Sequence, residues 1–341
     1  MIKKEDIKYY NYPNPRFRRK DYTILDKLCD FKMFNNENDT IEKQCKILLP
    51  FSYETKKSGV DIQTMYKHVC YEISFEIDEI TNYLLHFKAV DYECDVFINN
   101  QYVGNHKGGF TSFFFNISKY IKMGSNLLVV DVHDSFSKEQ LRGKQREIKN
   151  SHECWYVQTT GIYQQVYLEK CGTNQIEYAK FAADSYGNTC YEIKTTSEDL
   201  LEVNIKYKEQ FIKKFTLNGN TLYNGTFKID NPNLWSTNSP NLYDVFLTLK
   251  GKKDDYVETY FGCRSIKTKN SFIYLNDEKL FLKFFLNQGY YENQGLTLTK
   301  EDILKDFNLM LDFGFNGCRI HQKVEDPFLY YLSDIFGFLL W

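Results

Sequence analysis

The chain has 341 residues, 43% hydrophobic and 17% aromatic, with a net charge of −2 and a pI of about 6.3. That length supports two or three domains, each with its own core. The near-neutral balance gives no electrostatic basis for a nucleic-acid partner or an anionic membrane surface.

From about residue 40 to 260 the dominant period is two. In "ECDVFINN" Cys94, Val96 and Ile98 alternate with Asp95, Phe97 and Asn99. In "NLLVVDVHD" Leu128, Val130 and Val132 share a face, as do Val203, Ile205 and Tyr207 in "EVNIKYKE" and Val245, Leu247 and Leu249 in "DVFLTLK". Turn signals at Asn99-Asn100, Lys122-Met123-Gly124 and Asn218-Gly219-Asn220 separate the runs. Short alternating strands with such turns predict antiparallel β-sandwiches. A boundary near Cys171-Gly172-Thr173-Asn174 divides a first sandwich, 1–171, from a smaller immunoglobulin-like one, 172–268. Trp155 and Trp235 are expected to anchor the sandwich cores.

After residue 270 the pattern changes. "KLFLKFFLN" reads as a strand buried on both faces. "LTKEDILKDFNLMLDFG" reads as a helix, with Thr299 as N-cap, Ile303, Phe307, Met310 and Leu311 as its apolar stripe, and Gly314 as C-cap. "FNGCRI" is a second strand. Asp326-Pro327 caps and starts a second helix carrying Leu329, Leu332, Ile335 and Phe336, which Gly337 ends; "FLLW" is a third strand. Strand, helix, strand, helix, strand predicts parallel α/β architecture over 269–341. No G-x-G-x-x-G follows the first strand; the long loop "NQGYYENQGLTL" does, which points to the opening of a (β/α)8 barrel. In a barrel, residues leaving strand ends converge on one mouth. Asn287 and Gln288 leave strand one, Arg319 and His321 leave strand two, and Trp341 ends strand three.

"MIKKEDIKYYNYPNP" lacks an apolar core of signal-peptide length, and no run approaches the about 20 apolar residues of a membrane span. The nine cysteines are scattered and never spaced C-x-x-C, so reduced buried thiols and a cytoplasmic location are expected. The six histidines form no H-E-x-x-H motif.

The order of these segments resembles the family 2 glycoside hydrolases: β-galactosidases, β-glucuronidases and β-mannosidases. "LLPFSYETKKSGV", "VFINNQYVGNHKGGFTSFFFNIS" and "CWYVQTTGIYQQVYLE" resemble that family's jelly-roll-like sugar-binding sandwich. "NPNLWSTNSPNLYDVFLTL" and "TYFGCRSI" resemble the end of its immunoglobulin-like domain. "FLKFFLNQGYY", "GFNGCRIHQKVEDP" and "LYYLSDIFGFLLW" resemble the start of its TIM barrel. The resemblance implies a retaining hydrolase of O-glycosidic bonds, β-galactosidase-like, whose acid/base and nucleophile glutamates stand about 5 Å apart. In the family those glutamates leave the fourth and seventh barrel strands. The sequence reaches only the third strand, so no catalytic residue is assigned, and the isolated chain is expected to be inactive. The family sometimes uses Mg²⁺ or Na⁺ near its site; no cofactor or metal ligand is assigned here.

By the same resemblance, Asp134 in "VVDVHDSF" matches an aspartate that reaches from the first sandwich to hold the sugar, a role suited to an ionised acceptor; a solvated turn aspartate is the alternative. Arg319 and His321 match positions near the bound sugar or its nucleophile, Arg319 alternatively as a barrel-interior ion pair. Trp341 either stacks on a sugar or packs. "Asn-Gln-Gly-Tyr" at 287–290 marks a less familiar branch and leaves the sugar open. The basic loop "RGKQRE", 142–147, reads as solvated surface, with the alternative, implied by the resemblance, that it lies near the active site. Besides an enzyme portion with a carbohydrate substrate, two readings compete: a non-catalytic carbohydrate-binding protein, and one piece of a split enzyme. An open barrel edge would also favour association with a second copy.

Overall fold

Alternation between inward and outward side chains carries directly into the sheets of the computed structural model, which describes residues 1–155 and 158–341. Six antiparallel strands form the larger sheet of the first sandwich, in the order Ile41–Leu48, Leu28–Phe34, His68–Ile77, Gly124–His133, Glu93–Ile98 and Gln101–Lys107. Four more, Tyr22–Ile24, Val166–Cys171, Asn82–Phe87 and Phe113–Asn116, form the facing sheet. Between them lies one core that includes Phe31, Val69, Tyr71, Val96, Val130, Leu85 and Leu168. Asn99 and Asn100, both at positive φ (50° and 65°), make the tight turn joining the last two strands of the larger sheet.

A second pair of antiparallel sheets follows. Ile176–Ala183, Asn188–Thr195 and Leu222–Lys228 face Gln210–Leu217, Leu201–Tyr207, Tyr243–Leu249 and Asp255–Phe261. Val203, Ile205, Val245 and Leu247 point into their shared core. Arg19 joins the two sandwiches. Its guanidinium grips Asp255 with two bonds of 2.9 Å, Glu169 at 2.9 Å and the Ile176 carbonyl at 2.8 Å.

A small antiparallel sheet, Ile266–Lys269, Phe272–Leu275 and Glu278–Leu280, leads into a parallel one of Phe284–Asn287, Gly317–Ile320 and Leu339–Leu340. Helices Lys300–Asp312 and Pro327–Phe336 connect the parallel strands. Thr299 caps the first helix in a reciprocal capping box with Asp302, and Gly314 follows its end at φ 75°. Asp326 caps the second, Pro327 starts it, and Gly337 ends it at φ 72°. Ile303, Phe307 and Met310 are buried against Phe328, Leu329 and Leu332. Three strands do not close into a barrel, and this corrects one expectation. The Phe284–Asn287 strand is not buried on both faces: Phe285 and Leu286 are 38% and 44% exposed, and Phe281 just before it is 78% exposed.

Both tryptophan expectations also need correction. Trp235 is buried, but with Leu275 and Leu339 at the junction with the parallel sheet rather than in the sandwich core; its indole N–H donates to the Asp334 carbonyl at 2.7 Å. Trp155 is only half-buried, with the Lys144 ammonium 5.1 Å from its ring centre.

Candidate functional site

The parallel pairing of Phe284–Asn287 with Gly317–Ile320 puts Asn287 opposite Ile320, so both strands release their next residues at one end. The backbone N–H of His321 donates to the Asn287 carbonyl at 3.1 Å. His321 Nδ1 lies 3.0 Å from Gln288 Oε1. An amide oxygen can only accept, so Nδ1 carries the proton and Nε2 is left as the acceptor. Partial desolvation, then the charges of Arg319 and Lys144, hold the imidazole below its ordinary pKa. It therefore stays neutral near pH 7. Arg319 is exposed beside it. Trp341, 74% exposed, follows directly on the third strand and exchanges backbone hydrogen bonds with the second: Ile320 N–H to its carbonyl at 2.7 Å, and its own N–H to the Cys318 carbonyl at 3.0 Å. Four expected residues, Asn287, Gln288, Arg319 and His321, thus share one lip.

The lip is backed by a buried ion pair. Lys323 Nζ meets Glu325 Oε1 at 2.6 Å and donates to the Gly289 carbonyl at 3.0 Å. Gly289 stands at φ 61°, and a Cβ there would sit 2.5 Å from Glu325 Oε1. Glycine is therefore needed both for conformation and for space.

The first sandwich reaches the lip through the 142–147 loop. The backbone N–H of Lys144 donates to Tyr290 Oη at 2.9 Å, and a Cβ on Gly143 would lie 2.8 Å from the Gln322 carbonyl. This loop is not the solvated surface its composition suggests. Arg142, Gln145 and Arg146 are all buried. Arg142 donates to the Arg146 carbonyl at 2.7 Å and to Gln158 at 3.0 Å; Gln145 donates to Asp91 at 2.6 Å. The cause is a set of enclosed carboxyl groups that need donors.

Asp134 belongs to that set. It is fully buried and accepts from the Phe136 N–H at 2.9 Å, Thr160 Oγ1 at 3.1 Å and Gln158 Nε2 at 3.2 Å, with Arg142 Nη1 at 3.5 Å. It is therefore neither a solvated turn residue nor an open acceptor at the lip; Arg142, Gln158 and Thr160 enclose it. Burial raises its pKa, opposed first by Arg142. Asp91 is raised by burial and then by the charge of Asp134. Burial pushes Glu54 up to about 8, opposed by its own backbone N–H and by the Ser52 and Thr160 hydroxyls. Sequence reasoning passed over Glu54 and Asp91. No local signal marked either one; Gly109 in "KGGFT" packs against Asp91, where a Cβ would lie 2.8 Å from the carboxyl carbon.

A cavity of about 430 Å³ opens between the first sandwich and the strand-one loop, against Glu54, Arg146, Tyr290, Tyr291 and Glu292. Its volume falls within the range of small-molecule sites. A larger one, about 600 Å³, lies between the sandwiches against Arg16, His86, Tyr178 and Arg264, away from the strand ends.

Comparison with known proteins fits this arrangement. Residues 37–171 match the model for "Glycosyl hydrolases family 2, sugar binding domain", and residues 155–264 match that for "Glycosyl hydrolases family 2". A putative beta-glucuronidase of Formosa agariphila is 26% identical over 80% of this chain and 34% of its own length. A beta-galactosidase of Staphylococcus xylosus is 25% identical over 77% of this chain and 26% of its own. The chain thus spans about a third or less of the length of these curated relatives. Among solved structures, a beta-glucuronidase of Bifidobacterium dentium superimposes with a TM-score of 0.81 at 19% identity, over 96% of this chain and 62% of that one. A beta-galacturonidase of Eisenbergiella tayi does so at 0.76 and 22%, over 96% and 57%.

Proposed function

Because this chain belongs to the glycosyl hydrolases of family 2, we propose that it is the sugar-binding, immunoglobulin-like and barrel-opening portion of a retaining β-glycosidase. The observation that carries the reading is the lip itself, where Asn287, Gln288 and His321 meet the sandwich loop through Lys144 and Tyr290. Strand-end polar groups at the mouth of a (β/α)8 barrel are where such folds place their chemistry. In this reading, residues 1–171, 172–268 and 269–341 are the three successive domains. Neutral His321 offers Nε2 to a sugar hydroxyl, and Gln288 fixes its tautomer. Asn287 and Arg319 offer further polar contacts, and Trp341 an aromatic face. The acid/base and nucleophile carboxyl groups, about 5 Å apart in a retaining enzyme, are supplied from outside residues 1–341. Nine unpaired cysteines suit a reducing compartment, the cytoplasm.

The substrate we favour is a β-galactoside. A β-uronide is the second reading, supported by one observation: His321 is surrounded by the positive charges of Arg319 and Lys144, which would receive a sugar carboxylate. Rates of the native polypeptide on aryl β-galactoside and aryl β-glucuronide separate the two. A preference for the glucuronide that is lost in Arg319→Ala selects the second reading. A preference for the galactoside, insensitive to that change, selects the first. Cleavage of neither overturns both.

A further inference from the structure

On the open face of the six-stranded sheet, away from the lip, three ligand-bearing side chains converge. Asp131 and His133 are two apart on the Gly124–His133 strand and therefore share a face. His68 sits directly across from His133 on the neighbouring strand. His68 Nε2 lies 2.7 Å from Asp131 Oδ1, and His133 Nε2 lies 3.6 Å from Asp131 Oδ2. One ligand atom from each of the three falls within 4.8 Å of the others. Three ligands of a tetrahedral zinc-class ion, each at about 2.0–2.1 Å from it, stand roughly 3.3 Å apart; the two imidazoles are stacked, 4.2 Å between ring centres and 23° between planes, so closing the set requires exposed His133 to rotate out of that stack.

A second feature is the support behind the first histidine. Asp39 Oδ1 lies 2.6 Å from His68 Nδ1, and Phe34 stacks on the ring at 3.8 Å between centres. A carboxylate that holds the Nδ1 proton turns Nε2 toward the gap and makes it a better donor to a metal, the arrangement that orients metal-bound histidines. The local field has the right sign. Asp39, at His68 Nδ1, and Asp95, directly across from Asp131 on the next strand, add negative charge around the gap. From the neighbouring strand Cys70 and Glu72 face the same way, with Lys32 engaged by Glu72.

We propose that His68, Asp131 and His133 form a binding site for one zinc-class divalent cation, with water completing the coordination. Two imidazoles with one carboxylate favour Zn²⁺, Co²⁺ or Ni²⁺ over the oxygen-seeking Ca²⁺ and Mg²⁺. Without metal, His68 bridges Asp39 and Asp131 through its two ring nitrogens. A bound ion requires both Nε2 atoms free of their protons, so binding weakens as pH falls.

The test is titration of the 341-residue protein with Co²⁺ and Zn²⁺, read by visible absorption of the cobalt form and by competition with a chromogenic chelator. One ion per chain is expected. His133→Gln, at an exposed position, should weaken binding at least tenfold with an unchanged far-UV circular dichroism spectrum. Asp39→Asn should weaken it about 10- to 100-fold through loss of the orienting partner. His321→Gln should leave it unchanged. Zn²⁺ should raise the melting temperature of the wild type but not of His133→Gln. No binding by the wild type in excess metal, or equal binding by His133→Gln, overturns the proposal.

Discussion

Tyr290, on the loop after the first parallel strand, accepts a 2.9 Å hydrogen bond from the backbone N–H of Lys144, on a loop of the first sandwich. This bond ties two parts of the chain far apart in sequence into one edge of the candidate site. Beside it, Gly143 adopts φ 59° in contact range of the Gln322 carbonyl. Gly143→Ala combines strain at positive φ with that clash and should destabilise the protein by about 1–3 kcal/mol. Tyr290→Phe leaves a backbone donor without its acceptor, at about 1 kcal/mol. Urea unfolding of both variants checks the order. A neutral Gly143→Ala would mean that the loop does not hold this position.

Arg19 is the second long-range tie. It is buried with both of its carboxylate partners, Glu169 and Asp255. Burial alone would raise Glu169, but His86, 2.9 Å away, and then Arg19 hold it down to about 2. Arg19→Ala removes one side of a buried network and should reduce stability by about 3–5 kcal/mol. Thermal melting measures this, and a loss below about 1 kcal/mol would contradict a structural role for the pair.

Glu54 sets a pH dependence. Its folded value, about 8, lies above its ordinary 4.5. Between those two values the folded chain keeps a proton that the unfolded chain has released. Its contribution to stability is therefore complete below pH 4.5, declines as pH climbs through the window, and is lost above about 8. Within the window the decline is at most about 1.4 kcal/mol for each step of one in pH. Glu54→Gln keeps the shape and removes the titration. Its melting temperature relative to wild type should rise steadily from pH 5 to pH 8; a constant difference would show that Glu54 is not held protonated.

The parallel sheet makes a fourth prediction. Phe285 and Leu286 are 38% and 44% exposed and Trp341 74%. Amides of residues 281–286 and 316–320 should exchange quickly in dilute protein and slow down only where copies associate along this sheet. Hydrogen exchange at two protein concentrations tests this. Strong protection independent of concentration in a strict monomer would contradict it.

Much of the fold was legible because it is written locally. Val96, Val130, Val203 and Val245 each belong to a run of apolar residues spaced two apart, and each lies in a sandwich core. Thr299, Asp326, Gly314 and Gly337 punctuate the two helices at the expected places. The site was legible only in part. Strand ends brought Asn287, Gln288 and His321 together, since parallel pairing dictates which residues emerge side by side. The positions of Asp134, Arg142 and Arg146 were not legible. Their hydrogen-bond partners, Thr160, Gln158 and Gln63, lie 26, 16 and 83 residues away respectively, and local composition carries no record of such pairing. Trp235 misled for the same reason: its partners Leu275 and Leu339 come from later elements.

The most direct measurement compares aryl β-glycoside hydrolysis by the purified 341-residue chain with that by the native polypeptide captured from its source cells with an antibody against residues 1–270. The proposed function predicts no release by residues 1–341 alone and β-selective release by the native polypeptide, at a mass well above 40.6 kDa. Turnover by residues 1–341 on their own would contradict the assignment of the catalytic carboxyl groups. A native species of 40.6 kDa without activity would contradict the glycosidase reading itself.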